Sequence, residues 1–183
     1  MKFEIVTPCK NEEKNIFKFY NTIKNILVDY DYNIKFVDDG SDDNTWNEIK
    51  KICNQDKNIS GIKLLKNYGK ENAITAGIQD NIENFDFKIV IDSDLQHPVE
   101  IIPQMIERWQ NGEVLINTYR EKFQEGFLRE LGSSMFYFFM KKFSDVNIIT
   151  KLTDFMLLDK SILNKYAQIS EKNKTFRATI NII

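Results

Sequence analysis

Glycine, proline, cysteine and histidine are all scarce in this 183-residue chain, at seven, three, two and one. No Gly-x-Gly-x-x-Gly follows the first strand-like segment, which argues against a dinucleotide-binding oxidoreductase. The two cysteines, Cys9 and Cys53, lack metal-ligand spacing and fit free thiols in a reduced, intracellular protein. Cys9 has no His or Asp partner that marks it as a nucleophile, so it reads as structural. Excess charge of one sign is missing too. Twenty-seven acids against 25 bases leave −2, with no global attraction to nucleic acid. No run of about 18 apolar residues is present, so nothing reads as a membrane span. Met1-Lys2-Phe3-Glu4 leads straight into a strand-like segment rather than a signal peptide. There is no internal repeat, low-complexity tract or interdomain linker. With 42% apolar and 28% charged residues, residues 1–183 suit a single domain with its own core.

What is there is an alternation of strands and helices. Phe3 to Thr7 reads as a strand, and Asn11-Glu12-Glu13 opens a helix to about Val28 with its acids in the first turn. Ile16, Phe19, Ile23, Ile26 and Leu27 give that helix an apolar stripe. Further strands are expected at Asn33–Val37, Ile59–Leu65, Phe87–Ile91, Glu113–Thr118 and Lys151–Leu158. Helices are expected between them, at Thr45–Cys53, Glu71–Ile82, Pro98–Trp109 and Phe127–Phe143, and after the last strand at Asp159–Ala167. This order predicts an α/β fold of parallel strands with helices on both faces, and ligands then bind outside the carboxyl ends of the strands. Four polar clusters fall at those ends: Pro8 to Glu12, Asp38 to Asp43, Lys66 to Lys70, and Asp92 to Gln96.

The stretch Lys88-Ile89-Val90-Ile91-Asp92-Ser93-Asp94-Leu95-Gln96-His97-Pro98 carries the strongest chemical signal. An apolar run suited to a strand buried on both faces ends in two carboxylates one residue apart. Side chains alternate along a strand, so Asp92 and Asp94 project to the same side. Two such charges repel unless a cation lies between them, and Gln96 adds an amide oxygen in the same register. A hard divalent cation fits these oxygens, and Mg²⁺ keeps positions open for phosphate. The plainer alternative is a solvated acidic loop. At Asp38 and Asp39, one carboxylate can accept from a ribose or a base-edge N–H, while Asp38 or Ser41 caps the following helix. Lys66 and Lys70 flank Gly69 and can neutralise phosphate, or be a solvated pair. His97 suits a ligand or supporting role, or a structural one. Five aromatics (Phe136, Tyr137, Phe138, Phe139 and Phe143) crowd the 127–143 helix, bordered by Arg129, Lys141 and Lys142. That pattern fits a helix on a membrane surface or, alternatively, a buried core or dimer helix. A homo-oligomer is left open.

Five strings together resemble family-2 glycosyltransferases with the GT-A fold, a Rossmann-like α/β fold with a mostly parallel central sheet flanked by helices, in the branch of dolichol-phosphate mannosyltransferases and bactoprenol (undecaprenyl-phosphate) glucosyltransferases. They are Val6 to Glu13, Val37 to Thr45, Leu65 to Gly77, Asp92 to Glu100, and Thr153 to Leu157. The resemblance implies an inverting, metal-assisted transfer of a hexose from a UDP-glucose or GDP-mannose type donor to a polyprenyl phosphate. That transfer would serve cell-wall or surface glycan modification at the cytoplasmic face of the membrane, the domain itself being soluble. It implies that Pro8, Asn11, Glu12, Asp39, Lys70, Asp92 and Ser93 form the nucleotide-sugar site. Pro8, Glu12 and Asp39 would hold base and ribose. Asp92, Asp94 and Gln96 would hold Mg²⁺ or Mn²⁺ against the diphosphate. Asp154 and Asp94 would be the catalytic carboxylates, Asp154 as base or sugar-orienting group. Arg120, Arg129 and Arg177 would bind the acceptor phosphate.

The chain departs from the family pattern at Thr153 and Ala178, where Gly is usual, and at Met156 and Lys66, where Arg is usual. Members of this branch continue into transmembrane helices, so a truncation is expected where the chain stops at Ile183. Two alternatives keep the fold: transfer to a glycan or another sugar, and a non-catalytic nucleotide-sugar-binding domain. An aspartate-nucleophile phosphatase would place its Asp pair after the first strand, by analogy with that family, and here the pair follows the fourth.

Overall fold

In the computed structural model, residues 1–119, 152–169 and 176–180 are described. Two compact units are present, one of Met1–Asn117 with Asp154–Ile183, the other Thr118–Thr153. Of the second, the described residues are strand ends, where the Thr118 and Thr153 hydroxyls hydrogen bond at 2.6 Å. The aromatic segment Phe127 to Phe143, with Arg120 and Arg129, lies outside the described residues, as does the side chain of Arg177.

The described strands are β1 (Phe3–Cys9), β2 (Tyr32–Asp38), β3 (Ile59–Lys63), β4 (Phe87–Val90), β5 (Leu115–Tyr119) and β6 (Leu152–Asp159). The helices are α1 (Ile16–Ile26), α2 (Thr45–Gln55), α3 (Lys70–Gln79), α4 (Ile102–Gln110), α5 (Lys160–Gln168) and α6 (Phe176–Ile180). The sheet order is β3-β2-β1-β4-β6-β5. β1 pairs parallel with β2 and β4, and β2 with β3. β6 pairs antiparallel with β4, so the central sheet is mostly parallel, as expected. β1 and β4 are buried at every position, as strands covered on both faces are.

Alternation sorts the core into two layers. Phe3, Ile5, Ile34, Phe36, Phe87 and Ile89 face one way, against Phe19 and Ile23 of α1, Ile49 of α2 and Met105 of α4. Val6, Val37, Val90, Met156 and Leu158 face the other way, against Ala73, Ile74 and Ile78 of α3, Leu163 of α5 and Phe176 of α6. Met156, where the family pattern has Arg, is thus a core residue beneath α3. Gly77 lets α3 lie this close, because a Cβ there would stand 2.3 Å from Val6 Cγ1 and 2.9 Å from Val37 Cγ2. No described helix is long and apolar enough to cross a membrane.

Helix α1 starts at Ile16, not Asn11, and has no acid in its first turn. Asn11 turns the chain at φ 56°. The next two amides are already committed, Glu12 N donating to Thr45 Oγ1 (2.7 Å) and Glu13 N to Asp43 Oδ2 (3.3 Å). Tertiary hydrogen bonds here override the local helix signal. Pro98 likewise precedes a 3₁₀ turn, Val99–Ile101, before α4 begins.

Gly40 joins the β2–α2 loop to the β3–α3 loop. It has φ 64°, and a Cβ would stand 2.5 Å from the Lys66 carbonyl carbon and 2.6 Å from Asn67 N. Gly40→Ala is therefore expected to lower unfolding free energy by about 2 kcal/mol in a urea titration, through left-handed strain and backbone clash.

Candidate active site

A cleft of about 320 Å³ opens at the carboxyl ends of the parallel strands. Pro8, Cys9, Lys10 and Glu12 line it after β1, and Asp39 after β2. Asn67, Gly69 and Lys70 come from the β3–α3 junction, and Asp92, Ser93 and Asp94 from the end of β4. All four polar clusters of the sequence therefore meet, as the topology predicts.

Asp38 and Asp39 divide their work. Asp38 is fully buried and its Oδ1 accepts the Ser41 N–H at 3.0 Å, which closes the turn. It does not cap α2, whose N-cap is Asn44. Asp39 reaches the cleft and accepts Tyr68 N–H at 2.7 Å and Gly69 N–H at 2.9 Å, pinning the loop that presents Lys70. A carboxylate has about four acceptor sites, so these bonds leave capacity for a ligand N–H or hydroxyl. Asn11, expected in the nucleotide-sugar site, is engaged by the β2–α2 loop. Its N–H donates to Ser41 Oγ and its Oδ1 accepts the Asp42 N–H, both at 2.9 Å, so it stitches two loops together and is not a lining residue. Cys9 is buried, donates to Val37 O at 3.4 Å, and has its thiol pKa pushed up by burial and by the Asp38 carboxylate. That is an inert thiol, in keeping with a structural role.

The antiparallel pairing of β6 creates the site's densest feature. Val90 pairs with Met156, so the same register carried two residues on sets Asp92 across from Asp154. Asp154 is only 3% exposed. Lys70, the first residue of α3, lies between them. Its Nζ is 2.6 Å from Asp92 Oδ1, 2.7 Å from Asp92 Oδ2 and 2.6 Å from Asp154 Oδ2. His97 Nε2 stands 3.5 Å from Asp92 Oδ2, and its ring packs on Phe155 with centroids 5.6 Å apart. Burial pushes the Asp92 carboxyl pKa up, but hydrogen bonds from His97 and Lys70 outweigh it and hold it below the usual range. Burial pushes Lys70 down, and its bonds to Asp154 and Asp92 more than reverse that. Sequence reasoning found every member of this group but not their contacts. The two carboxylates are 62 residues apart in sequence, and only the pairing sense of β6 brings them together.

Asp94 and Gln96 sit in the turn after β4. Asp94 Oδ1 accepts the Gln96 N–H at 3.0 Å, and Leu95 between them has φ 59°. Asp94 lines the cleft, whereas Gln96 is exposed and is not a lining residue. Among the described residues no three His, Cys, Asp or Glu side chains are gathered closely enough to hold a metal. Two carboxylates at one cleft still fit Mg²⁺, which typically takes one or two protein carboxylates and completes its shell with water and substrate phosphate.

The family model for glycosyl transferase family 2 matches residues 4–167. The bactoprenol glucosyl transferase of Shigella phage SfX is 33% identical over 176 residues, covering 94% of this chain and 57% of its own. The prophage bactoprenol glucosyl transferase homolog of Escherichia coli K12 gives the same identity and coverage. This chain thus spans about half the length of the curated relatives it matches. Among solved structures, Staphylococcus aureus TarS 1-349 superposes with a TM-score of 0.65 at 17% identity, over 98% of this chain and 54% of that one. Glucosyl-3-phosphoglycerate synthase from Mycobacterium tuberculosis, in complex with Mn²⁺, UDP and phosphoglyceric acid, gives 0.60 at 18% identity, over 88% and 56%. These likenesses establish the GT-A fold.

Proposed function

Because the chain belongs to glycosyl transferase family 2, we propose that it moves a hexose from a nucleotide-sugar donor to a polyprenyl phosphate at the cytoplasmic membrane face, with inversion. The observation that carries the donor half is the meeting of Asp39, Lys70, Asp92 and Asp94 at one cleft beyond the parallel strands. The acceptor half is supported by the bactoprenol glucosyl transferases that resemble nearly the whole chain.

In this reading Pro8, Glu12 and Asp39 face the base and ribose, with Ser93 beside the sugar-diphosphate. Asp92 and Asp94, with Gln96, would hold Mg²⁺ or Mn²⁺. When bound, the cation neutralises charge that develops on the departing diphosphate. The nucleophile is the phosphate oxygen of the lipid carrier, already anionic, so Asp154 need not be a strong base. It orients the sugar or takes the residual proton. Arg120, Arg129 and Arg177 supply the guanidinium groups that suit bidentate binding of the acceptor phosphate.

Calorimetric titration with UDP, GDP, UDP-glucose and GDP-mannose, each with and without Mn²⁺, tests the donor half. One nucleotide class should bind in a Mn²⁺-dependent manner, and Asp94→Ala should remove the Mn²⁺-dependent part. Failure of all four to bind at millimolar concentration would overturn the donor reading.

A further inference from the structure

Lys70 reads from sequence as a point charge for phosphate, yet in the structure its charge is already committed. Gly69, at φ 92°, turns the chain into α3, and α3 lies on the sheet face that carries Val90 and Met156. That face continues, two residues on along each strand, to Asp92 and Asp154. The ammonium therefore lands where the two carboxylates converge, within 2.7 Å of three of their oxygens. One carboxylate is almost wholly buried and the other is largely shielded, with side chains 2% and 21% exposed. Without a cation between them, such a pair would repel.

We propose that Lys70 is a positioning residue that holds Asp92 and Asp154 together in the metal-free site, and that the divalent cation competes with it for Asp92. The proposal rests on the donor-and-metal reading above. Both oxygens of Asp92 are engaged by one ammonium, so a cation drawing on Asp92 must displace it or tolerate a positive charge a few ångströms away. A donor diphosphate offers Lys70 new acceptors. Nucleotide binding thereby releases Asp92 to the cation, and cation and nucleotide bind cooperatively through one lysine. By linkage, each must raise the other's affinity by the same factor.

The test is Mn²⁺ binding to the chain, followed by the electron paramagnetic resonance of free Mn²⁺, with and without UDP. Wild type should bind Mn²⁺ weakly alone and on the order of 10-fold more tightly with UDP. Lys70→Met should bind Mn²⁺ alone about 5- to 10-fold more tightly than wild type, with less further gain from UDP. Lys70→Arg, which keeps the charge, should retain the wild-type pattern. Lys70→Gln gives the same reading if the Met variant does not fold. Neutral variants that bind Mn²⁺ no more tightly than wild type overturn this inference and leave the donor reading standing. A wild type in which Mn²⁺ and UDP bind without affecting one another overturns both.

Discussion

Asp154→Asn is expected to lower sugar-transfer turnover roughly 100-fold or more while leaving donor affinity within a few-fold of wild type. Asn keeps the shape of the side chain and removes only its charge, at a position where the carboxylate is 3% exposed and 2.6 Å from Lys70 Nζ. In the proposed function the nucleotide would be held by other elements that line the cleft: Asp39 after β2, the Gly69 loop, and Asp92 with Asp94 after β4. The loss should therefore appear in kcat rather than in binding. Turnover measured with labelled donor and polyprenyl phosphate, alongside donor calorimetry on the same variant, separates the two. An equal fall in affinity would make Asp154 part of the donor site instead, and an unchanged turnover would move the orienting group elsewhere.

Asp154 also shows what the sequence could and could not convey. Local signals located the parts of the site. Apolar strands ended in acidic or glycine-containing turns, and a parallel sheet gathers such turns on one edge. Asp39, Lys70, Asp92 and Asp94 were legible for that reason. The partnership of Asp92 with Asp154 was not. β6 is an apolar run like the strands before it, and nothing in Leu152–Asp159 encodes the direction in which it runs. Its antiparallel sense depends on the route of the chain from β5, a tertiary property. The start of α1 was misjudged for a related reason. Glu12 and Glu13 look like first-turn acids, but their amides are taken by Thr45 and Asp43, 33 and 30 positions away in sequence. Asn11 matched a family string, and its hydrogen bonds in the structure stitch two loops together. A motif match marks where a residue belongs in the fold, and only contacts say which task it performs.

The largest loss of stability is expected away from the cleft, from Glu4→Gln. On the α3 face, three adjacent strands bring Lys35, Glu4 and Lys88 together: Glu4 pairs in register with Lys88, and Lys35 lies two residues along β2 from Asn33, the residue that Glu4 pairs with there. Their exposures are 2%, 2% and 0%. Glu4 Oε1 is 3.1 Å from Lys35 Nζ and Glu4 Oε2 is 2.6 Å from Lys88 Nζ. Asp80, just beyond α3, pairs with Lys35, and Lys88 also donates to the carbonyls of Gly77 (3.1 Å) and Asp80. Lys88 thus satisfies carbonyls at the carboxyl end of α3 from beneath, Lys35 pairs with the Asp80 carboxylate there, and Glu4 compensates both lysines. Removing one partner of a buried ion pair leaves the other charge uncompensated, at a cost of about 3–5 kcal/mol. A urea titration of Glu4→Gln near neutral pH should show a loss of that size. Lys88 supplies a second check. Burial lowers its pKa below the ordinary 10.5, and Glu4 opposes that fall. Without Glu4 the folded-state pKa should fall further. Between the folded value and 10.5 the unfolded chain binds more protons than the native one, so stability rises with pH in that window. The deficit of Glu4→Gln relative to wild type should therefore shrink as the pH is raised toward 10. A deficit that stays constant across that range would mean that lost packing, rather than an unpaired ammonium, is what the substitution costs.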